Sequence, residues 1–148
     1  MSGRKAHLIA GGVCGAAVAV YSARRLPGDW RLFETIGGAL GGLAGGATPD
    51  VLEPATSPNH RGLAHGGVAA FALVKADWAP FIDRLRAGAE VLLQRSADPA
   101  LPQSTQEWLR FQAALCLIGA GAVSGFVAGY ASHLILDMAT PSSLPVLW

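Results

Sequence analysis

All four histidines of the chain stand where an imidazole could serve a metal ion. His133 and Asp137 are four residues apart in Ser132-His133-Leu134-Ile135-Leu136-Asp137, so on a helix both point from one face. Two ligands at that spacing can share one ion. The alternative is an idle surface pair. The turns before it are wholly apolar, and there an unused pair is costly to desolvate. His60 and His65 lie in Asn59-His60-Arg61-Gly62-Leu63-Ala64-His65, five residues apart. On a continuous helix they would diverge by well over a right angle. Gly62 permits a turn, with His60 in a loop and His65 in the first turn of the next helix. Arg61 between them either binds an anionic substrate group such as phosphate, which a planar guanidinium suits, or pairs with Asp50 or Glu53.

Asp50 and Glu53 stand in Thr48-Pro49-Asp50-Val51-Leu52-Glu53-Pro54, a proline-bounded stretch. One of these carboxylates could bridge two metals or act as general base on a metal-bound water. A solvated loop acid is the plainer role for Glu53. His7 opens an apolar segment otherwise free of polar side chains. The set comprises His7, Asp50, Glu53, His60, His65, His133 and Asp137, in a chain only 14% charged. With N and O donors and no nearby cysteine, it suits zinc, manganese or iron. Seven candidates exceed the needs of one tetrahedral ion, which favours two ions clamping a phosphoester or ester, with metal-bound hydroxide as nucleophile. No serine or cysteine stands in a nucleophile setting. Ser124 reads as helix packing. Asp50, His60, His65, His133 and Asp137 are therefore expected to converge.

The elements that must bring them together read as helices. The chain has 148 residues, 51% hydrophobic, with 19 glycines. That is enough for one domain, taken as residues 1–148, of membrane-bundle character. The long Ala/Leu/Gly stretches lack strand alternation. Five helices are expected, over Lys5–Ser22, Trp30–Gly46, Gly62–Ala76, Trp78–Arg95 and from Thr105 past Asp137. The expected class is an all-α, compact, membrane-associated bundle. Pro49, Pro54 and Pro58 imply a loop over Pro49–Arg61. Trp78–Arg95 is amphipathic, with Phe81, Ile82, Leu85, Ala89, Leu92 and Leu93 on one side. Asp83, Arg84, Arg86, Glu90 and Arg95 fall largely on the other. Such a helix lies on a membrane surface or covers the bundle. Ser104 or Thr105 is the expected N-cap of the last helix. Its stretch Phe111–Ser132 carries no charged residue, long enough to span a bilayer. Thr140-Pro141 ends the pattern.

The N-terminal Arg4, Lys5 and apolar run resemble a signal peptide but lack a clear cleavage site, so the segment reads as retained. Cys14 and Cys116 each lie in an apolar run and read as small core residues. A net charge of +1 makes no case for nucleic acid.

At these residues the chain resembles the YdjM-like family of inner-membrane metal-dependent hydrolases, also called LexA-binding. That family is distantly similar to zinc phospholipase C-like helical enzymes. The matching elements are His7, Pro49-Asp50-Val51-Leu52-Glu53, His60-Arg61-Gly62-Leu63-Ala64-His65, Ser132-His133-Leu134-Ile135-Leu136-Asp137 and Thr140-Pro141, in family order along nearly the whole chain. Two departures stand out. Ala64 replaces the family's usual threonine, and the second acid of the loop, Glu53, stands one position late. The resemblance implies a metal site, a bacterial or phage-encoded inner-membrane location, and contact with membrane lipids and a small phosphoester or lipid-like substrate. A homo-oligomer is compatible with it. Two competing classes remain. One is a structural or interaction protein of a virus or mobile element, holding its helices with a non-catalytic metal. The other is a small holin-like oligomer or transporter, which would spread polar residues along a pore.

Overall fold

The computed structural model describes residues 3–53 and 67–138. They form five helices: α1 (Gly3–Ser22), α2 (Gly28–Leu52), α3 (Gly67–Lys75), α4 (Ala79–Ser96) and α5 (Gln103–Met138). No strand occurs among the described residues. His60, Arg61, His65 and Thr140-Pro141 lie outside them, as does the expected start of the third helix at Gly62.

Two expected boundaries are corrected. First, α2 does not stop at Gly46 but runs through Pro49 to Leu52, so Asp50 is helical rather than in a loop. Pro49 gives up one helical N–H bond, and the helix ends three residues later. The Thr48 hydroxyl donates to the Ala44 carbonyl at 2.8 Å, and the Glu53 N–H donates to the Pro49 carbonyl at 2.9 Å. Second, Ser104 and Thr105 lie inside α5 rather than capping it. The Pro102 carbonyl accepts the N–H groups of Thr105 and Gln106 at 2.9 and 3.1 Å, so the helical bonding begins two residues earlier.

Glycine rows set the packing. On α2, a Cβ at Gly37, Gly41 or Gly45 would land on the α5 carbonyls of Ile118, Ala122 or Phe126. Reciprocally, a Cβ at Gly121, Gly125 or Gly129 would land on the α2 carbonyls of Glu34, Gly38 or Gly42. A second α2 row, Gly38, Gly42 and Gly46, meets the α1 carbonyls of Gly15, Gly11 and His7. Each row repeats every four residues, so the backbones touch along whole helix faces. The pairings make α2 and α5 parallel and α1 antiparallel to both. They also fix register, because Gly46 against His7 and Gly45 against Tyr130 bring the start of α1 and the end of α5 to the last turns of α2.

The interior is small and the outside is large, the reverse of a soluble core. Ala19, Ala113 and Ala120 are buried, whereas Ile9, Val13, Leu32, Leu40, Leu115 and Ile135 are exposed. Apolar side chains turned outward over helices of this length are served by lipid. Within this set, Arg4–Ser22 and Gln103–Met138 are long and apolar enough to cross a membrane. Cys14 and Cys116 are free and half-buried.

Helix α4 covers the bundle. Ala89 packs on Ala113 and Leu117 of α5, with Leu92, Leu93 and Cys116 around them. Phe81, on the apolar side, is exposed, and one sequence assignment to the faces fails. Arg86, assigned to the polar side, turns inward to Glu34 of α2. The cause is Glu34 itself, fully buried and in need of a counter-charge.

Candidate metal centre

Three helices deliver one cluster. His7 comes from the second turn of α1, Asp50 from the end of α2, and His133 with Asp137 from the end of α5. The glycine rows remove the side chains that would otherwise hold these three helix ends apart. His7, His133 and Asp137 are all buried, and one ligand atom from each lies within 4.8 Å of the others.

The imidazoles of His7 and His133 stack, with ring centroids 3.9 Å apart. Nε2 of His7 faces Asp137 Oδ1 at 3.3 Å. Nε2 of His133 faces Asp137 Oδ2 at 3.5 Å and Asp50 Oδ1 at 3.7 Å. These separations exceed the usual N–H···O distance of about 2.9–3.0 Å. The groups point at common ground without closing on one another. Asp50 is the outer member, its side chain 28% exposed, whereas the His133 side chain has no exposure at all.

The orientation of His133 has a definite source. Its Nδ1 lies 2.7 Å from the Gly46 carbonyl. A carbonyl can only accept, so Nδ1 carries the proton and Nε2 is left with its lone pair facing the carboxylates. A ligating histidine is usually held in this way, by a carbonyl or carboxylate on its other nitrogen. Sequence reasoning missed Gly46. The available signal was its position four residues before Asp50, in the glycine row of α2. Nδ1 of His7 is buried with no hydrogen-bond partner among the described residues, a costly state for an imidazole nitrogen.

Of the expected site residues, the structure therefore brings together His7, Asp50, His133 and Asp137. Glu53 is the C-cap of α2, half-buried and one turn beyond Asp50. His60, His65 and Arg61 fall outside the described residues. The group His7, His133 and Asp137 could hold a metal ion. Its donors are nitrogen and oxygen, one buried nitrogen lacks a partner, and one ring is already set in a ligating tautomer, so the residues fit such an ion.

The family model for the YdjM inner membrane protein matches residues 1–148. The chain belongs to the YdjM inner membrane protein family. No curated protein and no solved structure matches it. Membership of the YdjM family places the chain in the inner membrane, in agreement with its two apolar spans and its outward-turned aliphatic side chains. Each YdjM-like element that the structure describes, at His7, at Asp50 and at His133 with Asp137, contributes to the one cluster.

Proposed function

We propose that this protein is a metal-dependent hydrolase of the inner membrane, acting on a phosphoester or lipid-like ester. The observation that carries the reading is the convergence of His7, His133 and Asp137 from two helices on buried common ground beside Asp50. Zinc is the proposed ion, with manganese and iron as alternatives, because the donors are imidazole and carboxylate. His7, His133, Asp137 and Asp50 would hold it, joined by His60 and His65, with room in that set for a second ion. When bound, such an ion lowers the pKa of a water and polarises the ester oxygen.

The chain's own residues supply the rest. The Gly46 carbonyl keeps the proton on Nδ1 of His133 and so keeps Nε2 as a donor. Glu53, at the end of α2, is the proposed general base, its carboxylate taking the proton of the attacking water. Arg61 is proposed to hold the anionic group of the substrate. The stacked imidazoles lie on the buried inner side, while half-buried Asp50 marks the outer one.

One observation favours a second reading. The buried trio joins α1 to α5, as a structural ion holding short helices would. Activity of the zinc-loaded protein against phosphomonoesters, phosphodiesters and lipid esters separates the two. The hydrolase reading expects turnover of at least one class. It also expects Glu53→Gln to keep the metal while the rate falls by about 10²–10⁴. Full metal binding with no turnover across that panel would leave the structural reading.

A further inference from the structure

A second polar layer lies at the opposite end of α2 from the candidate metal centre. Glu34 and Asp50 are sixteen residues apart on one helix, about 24 Å of rise, which approaches the roughly 30 Å of a bilayer core. Beyond Glu34, toward the α1–α2 turn and the start of α5, the surface changes character. Tyr21 and Trp108 are exposed, and the Arg24 guanidinium lies 4.3 Å over the Tyr21 ring. Exposed aromatic rings beside arginines mark a membrane–water boundary.

At this level a cavity of about 590 Å³ opens between the α1–α2 turn and α4. Its floor is apolar, with Leu117 and Leu93, and its rim carries Arg25, Asp83, Arg86 and Glu90. Arg86 is already neutralised. It donates Nε to Glu34 at 3.2 Å and pairs with the same carboxylate through a second nitrogen, and its remaining nitrogen lies 3.8 Å from Asp83. Arg25 and Glu90 have no hydrogen bond or ion pair among the described residues. The cavity therefore offers one uncommitted cation, one uncommitted anion and a hydrophobic floor, at the depth where lipid headgroups sit.

We infer that this cavity binds a zwitterionic phospholipid with a primary-amine headgroup, the phosphate on Arg25 and the ammonium on Glu90. The start of an acyl chain lies over Leu93 and Leu117. The volume falls within the range of sites that enclose a small ligand. The opposed charges select against an anionic lipid, which would meet Glu90 without a compensating ammonium. This site is separate from the candidate metal centre and does not depend on hydrolase activity.

The test is native mass spectrometry of the full chain released from nanodiscs containing equal phosphatidylethanolamine and phosphatidylglycerol. The expected result is one retained phosphatidylethanolamine per chain, in preference to phosphatidylglycerol. Glu90→Gln should abolish the preference, and Arg25→Gln should weaken retention of both lipids by about tenfold, the loss expected for one charge-assisted hydrogen bond. Unchanged helical circular dichroism and an unchanged unfolding midpoint in both variants would show that they are folded. Retention of no lipid, equal retention of the two by the wild type, or variants that retain as the wild type does would each overturn the proposal.

Discussion

Arg86→Leu should destabilise the bundle by about 3–5 kcal/mol, the cost of stripping a buried charge of its partner. The figure follows from what Glu34 would have left. Its side chain has no solvent exposure, and without Arg86 it keeps only the Ser22 hydroxyl, at 3.2 Å. Glu34→Leu should cost less, about 1–3 kcal/mol. The Arg86 side chain is 26% exposed and keeps Asp83 at 3.8 Å, so it can turn to water. The double variant Glu34→Leu/Arg86→Leu should recover most of the loss, because two leucines leave no buried charge. Reversible unfolding in mixed micelles, run as a double-mutant cycle, measures all three. A coupling of about 2 kcal/mol or more is expected. If Arg86→Leu costs less than about 1 kcal/mol and the two sites are additive, Glu34 has another way to satisfy its charge. The account of this layer would then be wrong.

The glycine rows and the orientation of the bundle make further outcomes measurable. Gly42→Val would press on the Gly11 carbonyl of α1, against which Gly42 packs while also bordering α5. It should cost more than the usual 1–3 kcal/mol of overpacking, because backbone cannot rotate away. Gly28→Ala, which meets nothing within 4 Å, should stay within about 0.5 kcal/mol in the same unfolding assay. Arg24, Arg25, Arg31, Arg95 and Arg110 stand at the end away from the candidate metal centre, against Arg4 and Lys5 at the end that holds it, so the end with the larger share of cations is expected on the cytoplasmic side. In intact cells, with Cys14 and Cys116 replaced by alanine, an impermeant thiol reagent should label Leu52→Cys and spare Gly28→Cys. The reverse pattern would invert the topology.

What could be read from the sequence was set by how local the signal is. His133 and Asp137 announce themselves through helical spacing alone, and the charge-free stretch of α5 announces a long apolar helix. His7 carried little local signal, since its value lies in stacking on a residue 126 positions away. The glycines were visible as composition. Their division into one row for α1 and one for α5 depends on helix register, which no single segment encodes. Pro49 reads as a helix breaker because its ring is costly in a helix interior, yet it sits in the last turns, where the helix continues just far enough to present Asp50. The soluble-protein rule that charges face outward puts Arg86 on the polar side. A buried carboxylate on another helix reverses that rule, and the sign available was Glu34 itself, an acid among glycines and aliphatic residues.

The central claim is that His7, His133 and Asp137 hold a metal ion, and metal content tests it most directly. Protein purified in detergent, equilibrated with zinc and desalted, should retain at least about one ion per chain, as expected for a site with three or more protein ligands. His133→Ala and Asp137→Asn should each weaken zinc binding by more than the roughly 10–100-fold lost with an outer-shell partner, while a conservative change away from the cluster, Ser124→Ala, should leave it intact. Wild-type protein that retains no zinc, manganese or iron, or cluster variants that bind zinc as the wild type does, would contradict the account.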